Sequence, residues 1–262
     1  MQRSGINIRL LMMLGIMAFS VISYYTKTSV NPITGNKERV DLTPEQEVAM
    51  GLQSAPQMAA EFGGEYSDKN VQMFIKKIGA RLVKAGGLET SPYRFEFHVL
   101  AEPNVVNAFA LPGGQIFITV GLLKRLEEES QIAGVLGHEI GHVVNRHSAQ
   151  QMAKQGMWQG IVQGVAVGTS GGGGMNGGQI AQMVSQMVNL KYGREDELES
   201  DKYGLHYMKD AGFQPQAMIK VMKILEEAGG GKKEGSDFSS SHPSPANRII
   251  KIKEELALMG VE

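Results

Sequence analysis

His138-Glu139-Ile140-Gly141-His142 sets two imidazoles four residues apart with a carboxylate between them. At about 100° per residue the two histidines stand about 40° apart, one turn from each other, so on a helix both reach one ion. Glu139 lies about 100° round from His138, too far to share that position but placed to act as base toward a water there. Gly137 and Gly141 flank the histidines, and each costs a helix interior up to about 1 kcal/mol. Histidines that only decorate a helix surface leave this cost without a reason, whereas glycines here let a neighbouring element or ligand come close. The pattern points to zinc and to hydrolysis.

Two histidines leave a catalytic zinc short of its three protein ligands, and the chain has no cysteine to supply one. His147, five residues past His142, stands about 140° round a continuing helix and points away, which suits a surface or supporting role better than ligation. The acidic run from Glu195 to Asp201 is the other source. On a helix Glu197 and Asp201 share a face, so one carboxylate can bind the metal while the other orients a ligand histidine. A solvated first turn attracted by the helix dipole accounts for Glu195 and Asp196. His98 sits on the polar side of its strand with no second ligand near, as a surface histidine does.

The elements that must position these residues are marked by period and punctuation. Thr43, Pro44 and Gln46 make a capping-box start for a helix that Gly63-Gly64 ends. A second helix fits residues 70–84, with Val71, Phe74, Ile75, Ile78 and Leu82 on one face. Residues 93–100 alternate as a half-buried strand does, and 107–111 and 115–120 flank Pro112-Gly113-Gly114, a turn that joins antiparallel neighbours. Ser130 is the expected cap of a long helix reaching about Lys154 and carrying both histidines. Residues 156–189, rich in Gly, Met and Gln, read as a mobile insertion of two short helices about a tip, whose methionines meet substrate or lipid. Further helices are expected over about 195–211, 215–228 and 245–259. The pattern predicts an α+β, mostly helical fold, with a small antiparallel sheet beside the metal-site helix in a single catalytic domain.

At the amino terminus Arg3 and Arg9 precede an apolar run over 10–25. Its 16 residues make a helix of roughly 24 Å against a bilayer core of about 30 Å, so length leaves a cleaved signal and an uncleaved anchor both open. Tyr24 and Tyr25 suit a membrane interface, and the basic residues before the run predict export of the chain beyond it. The division is therefore 1–27 signal peptide or membrane anchor, 28–42 linker and 43–262 peptidase domain, on the periplasmic or otherwise extracytoplasmic side of a membrane. Twenty-six basic against 27 acidic residues leave a net charge of -1, with no excess to neutralise a nucleic-acid backbone, so nucleic acid is excluded as partner. The absence of cysteine excludes a disulfide framework, a thiolate metal site and a cysteine nucleophile.

Four motifs in order resemble the HtpX and BepA type of membrane-associated zinc metallopeptidases, which are gluzincins, over most of the chain beyond Thr43. Asn107-Ala108 with Pro112-Gly113-Gly114 matches the family's hairpin, residues 137–147 its helix motif, Glu197 and Asp201 its glutamate four residues before an aspartate, and His242-Pro243 with Arg248 its last pattern. Ser200 stands where family members usually have alanine. The resemblance implies one Zn²⁺ per chain held by His138, His142 and Glu197, with Asp201 in support and Glu139 as base. It also implies substrate held extended along the edge strand near Asn107 and Ala108, and Arg248 binding a carbonyl or orienting groups near the metal. The implied activity is endoproteolysis of unfolded or misassembled exported or membrane-associated proteins, in quality control. A zinc-containing chaperone or assembly factor, with His242 latched onto the metal, is the rival; a structural zinc site gives Glu139 no task.

Overall fold

The computed structural model describes residues 8–169, 192–229, 238, 242 and 247–261. The expected tip of the insertion beyond Thr169, Arg3, and all of the glycine-serine loop around Pro243 except Phe238 and His242 lie outside the described residues. Helix α1 (Ile8–Thr26) comes first, followed by a two-stranded antiparallel hairpin of β1 (Ser29–Val30) and β2 (Lys37–Glu38). The expected extended linker is thus an ordered hairpin, because Asn31 is buried and its amide donates both to Glu38 and to the Val144 carbonyl, at 2.7 Å each. Helix α2 (Pro44–Glu61) begins where its cap predicts, with Thr43 and Gln46 forming a reciprocal capping box; α3 (Lys69–Ala85) follows Asp68, which accepts from the Asn70 and Val71 amides.

Strands β3 (Glu96–Leu100), β4 (Ala108–Ala110) and β5 (Gln115–Thr119) form one sheet in the order β3-β5-β4. The sheet is mixed, correcting the expectation of antiparallel pairing throughout: β4 and β5 are antiparallel neighbours across the Pro112-Gly113-Gly114 turn, but β3 runs parallel to β5. A β-carbon on Gly113, at φ 81°, would lie 2.4 Å from the Val48 Cα, so this turn admits only glycine where α2 crosses it. The sheet is a middle layer. Phe109 and Phe117 pack with Met58 and Phe62 on the α2 side, while Ala108, Ala110, Ile116 and Ile118 face the larger core shared with α3 and the later helices.

After the single turn α4 (Val120–Leu123) comes α5 (Glu129–Val144), every residue of which from Gln131 onward is buried. Its start is capped by the Gln131 side chain, which accepts from the Glu127 and Glu128 amides, rather than by Ser130. The expected unbroken helix to Lys154 stops at Asn145. Arg146 takes φ 54°, and α6 (His147–Thr169) starts in a new direction. A left-handed arginine costs about 1–2 kcal/mol. Here it is offset by burial of the guanidinium against the Glu47 carboxylate at 2.6 Å and the Leu42 carbonyl at 2.6 Å. Helices α7 (Arg194–Asp210), α8 (Ala217–Gly229) and α9 (Arg248–Leu258) complete the described chain.

Candidate metal centre

Helices α5 and α7 cross backbone to backbone. A β-carbon on Gly137 would meet the Gly204 Cα at 3.2 Å, and one on Gly141 the Ser200 Cα at 2.8 Å. This close approach accounts for the glycines inside α5, and for a small residue at position 200 whether serine or alanine. It also carries Glu197 and Asp201, one turn apart on α7, up to the two histidines of α5.

His138, His142, Glu197 and His242 each bring one donor atom into a cluster whose members all lie within 4.8 Å of one another, and all four are buried. The His138 and His142 Nε2 atoms are 3.0 Å apart, and Glu197 oxygens stand 3.4 Å and 3.5 Å from them. Ligands at about 2.0–2.1 Å on a tetrahedral zinc are separated by about 3.3 Å, so the donor set has the span that ion needs. A second observation agrees: both carboxylate oxygens of Glu139 and the His242 Nε2 are buried without a hydrogen-bond partner among the described residues. Such atoms are costly unless a ligand or water completes them. The residues present fit a zinc ion.

The supporting groups hold this set in one orientation. Asp201 accepts from His138 Nδ1 at 2.9 Å, which turns His138 Nε2 toward the cluster. The Arg248 guanidinium lies buried across α7, donating to Asp201 at 2.8 Å and 2.7 Å and to Glu197 at 2.8 Å. The guanidinium is thus buried among the carboxylates rather than at the surface. On the other histidine, His142 Nδ1 is 2.9 Å from His147 Nδ1, and His147 Nε2 is 3.2 Å from the Glu199 carboxylate. A continuing helix would point His147 away from His142; the break at Arg146 instead swings it back beneath its neighbour. Glu195, in the exposed part of the first turn of α7, takes no part in the cluster.

Charge is set by the same contacts. Burial alone would raise Glu197, but His242, His138 and His142 hold it well below the usual carboxylate range. Burial likewise opposes ionisation of Asp201, and Arg248 with His138 overcomes it. Glu139 makes no hydrogen bond among the described residues, its Oε1 standing 3.7 Å from His242 Nε2, and burial pushes it up against the pull of His242 and His138. The site thus offers an ionised carboxylate to a cation and beside it a carboxylate poised to accept a proton.

His242 Nδ1 lies 3.3 Å from His138 Nε2 and 3.0 Å from Glu197, and its ring stacks on Phe238 at 4.2 Å. Asn107 and Ala108 lie at the β4 edge of the sheet, with the Asn107 amide donating to Thr119 Oγ1. His98 stays outside the cluster, partly buried and stacked on Phe117 at 4.7 Å. Sequence reasoning missed Tyr192, buried and stacked on His142 at 4.0 Å. It stands in non-helical chain before α7, where no period marks it.

The sequence model of peptidase family M48 matches residues 69–256, well over half of the chain. The mitochondrial metalloendopeptidase OMA1 of Schizosaccharomyces pombe is 29% identical over 237 residues, covering 90% of this chain and 68% of that protein. The beta-barrel assembly-enhancing protease of Yersinia pestis is 30% identical over 224 residues, 83% of this chain but 45% of that protein. The metalloprotease YcaL of Escherichia coli is 25% identical over 196 residues, 73% of this chain and 75% of that protein. The motif resemblance and the family model agree: the chain belongs to peptidase family M48 and is a metalloendopeptidase.

Proposed function

We propose that the protein is a zinc-dependent endopeptidase of unfolded or misassembled exported and membrane-associated proteins, working in quality control on the extracytoplasmic side of a membrane. One Zn²⁺ per chain would be held by His138, His142 and Glu197 and would supply a Lewis acid at the scissile carbonyl. Glu139 takes the proton of the attacking water and delivers it to the departing amine. The observation that carries this reading is the Glu139 carboxylate, buried without a hydrogen-bond partner among the described residues beside the His138, His142 and Glu197 donors. A purely structural site has no use for it.

Asp201 keeps His138 in the tautomer that presents Nε2, and Arg248 fixes both α7 carboxylates. Substrate lies extended beside β4 at Asn107 and Ala108, where main-chain pairing tolerates many sequences. Residues 1–27 act as the membrane signal or anchor, 28–42 tie it to the domain, and 43–262 form that domain. The names of the Yersinia and Schizosaccharomyces relatives support an envelope or organelle role, and α1, 19 residues with none buried, is long and apolar enough to cross a membrane. The rival, a latched assembly factor, is supported by the position of His242 among the donor atoms.

Degradation of an unfolded protein by the purified full chain tests the reading. Activity should require zinc, vanish with chelator, and fall by about 10² or more in Glu139→Gln while bound zinc is kept. Full activity in that variant refutes the role of Glu139.

A further inference from the structure

Helix α6 begins at the metal centre, with His147 against His142, yet it runs away from the domain alongside α1. The Arg146 guanidinium is 3.2 Å from Ser29 Oγ, just past the end of α1, while a β-carbon on Gly160 would strike the Ser20 hydroxyl. The two helices are therefore antiparallel, and levels along one can be matched to the other at about 1.5 Å per residue. Measured from the Ser20–Gly160 contact toward the domain, Trp158 lies at about 3 Å, Tyr24 at about 6 Å and Tyr25 at about 8 Å. Lys154 and Lys27 both lie at about 9–11 Å. The aromatic rings thus fall within about the first 8 Å and the lysines just beyond them, in the same order on both helices.

Beyond that level both helices carry no charge over a long stretch. No charged residue occurs between Lys154 and Lys191, and on α1 none precedes Lys27 back to Arg9. Phe19 and Ile22 are 72% and 60% exposed on α1, and Trp158 is 55% exposed on α6, so large apolar side chains stand uncovered on both helices. The hydroxyl of Ser20 donates to the Ile16 carbonyl one turn back at 2.9 Å, which satisfies it without water. Arg39 sits over the Tyr24 and Tyr25 rings at 5.7 Å and 4.9 Å, where a headgroup region accepts a cation. Gly160 lets the helices approach closely, as small residues do between helices in lipid.

We propose that the second half of α6 enters the lipid bilayer beside α1, with Trp158, Tyr24 and Tyr25 as one interfacial belt, so that the metal centre is held at the membrane surface. The inference rests on the reading of α1 as an anchor, which places α1 alone in lipid.

Trp158 is the only tryptophan and the chain has no cysteine, so both probes are free of background. The full chain is reconstituted in vesicles of phosphatidylethanolamine and phosphatidylglycerol, and co-flotation reports the anchor. Lipids brominated near the headgroup should quench Trp158 more strongly than lipids brominated near the chain ends. Val165→Cys should react with a membrane-impermeant maleimide at least tenfold more slowly than Lys154→Cys in the same vesicles. A chain that floats with the vesicles while Trp158 is unquenched and the two cysteines react alike overturns the inference and leaves the anchor standing. A chain that does not float overturns both.

Discussion

A β-carbon on Gly141 would stand 2.8 Å from the Ser200 Cα and 2.9 Å from its carbonyl oxygen. Neither is the end of a flexible side chain, so Gly141→Ala can be accommodated only by moving α7, and with it Glu197 and Asp201, away from the histidines. Zinc affinity in Gly141→Ala should fall at least tenfold by chelator competition, with the far-ultraviolet helical signal retained. Ser200→Ala, which removes no backbone contact, should stay within about threefold of wild type. Unchanged affinity in Gly141→Ala would show that the close crossing does not position the site.

The three glutamates at the start of α7 should separate cleanly. Glu197→Ala should lose most bound zinc and all activity. Glu195→Ala should match wild type, and Glu199→Ala, acting only through His147, should lose less than tenfold in affinity. Metal analysis after dialysis reads the difference; zinc retained by Glu197→Ala sinks its role as ligand.

His147 should act as a positioning residue for His142. Replacing such a support costs about 10–100-fold in metal affinity. His147→Leu should show that loss, and His147→Asn, whose side-chain oxygen can stand where Nδ1 accepts, should recover most of it. A Leu variant and an Asn variant that behave alike would make His147 a packing residue only.

His242 lies among the donor atoms of the cluster, where its ring would compete with a substrate carbonyl for an open position on the ion. If it latches the site, His242→Ala should raise basal proteolysis; if it serves catalysis, the same variant should lower it. Initial rates on an unfolded substrate decide, and no change removes His242 from both roles.

The ionic cluster at the base of the stem predicts a pH dependence. Burial pushes Glu47 up to about 7, with Arg146 opposing and Glu38 adding to the rise. Burial pushes Glu38 up to about 6 against the pull of Asn31 and Arg146. Tyr93 faces the same carboxylates. Folded values above the usual 4.5 mean that the stability these groups bring is full below about pH 4.5 and is lost as the pH rises through 6 and 7. The Tm of the zinc-loaded wild type relative to Glu47→Gln should therefore fall between pH 5 and pH 8. A difference that is flat across this range refutes the assignment.

Local chemistry in the sequence determined much of this protein. The cap at Thr43, the period of α3, the turn at Pro112-Gly113-Gly114 and the one-turn spacing of His138 and His142 depend on residues a few positions apart, and all are legible as such. The direction of β3 was not, because residues 101–107 carry the chain past β5 to its far side, where β4 takes the antiparallel place, and alternation reads the same either way. Nor was the end of α5. Its apolar period gives no sign of a stop at Arg146, which distant groups, the buried Glu47 carboxylate 99 residues earlier and the Leu42 carbonyl, hold in a left-handed conformation. That one break turns His147 beneath His142 and sends α6 along α1. Periodicity is a property of neighbours along the chain, whereas a buried ion pair is a property of two distant segments that folding brings together.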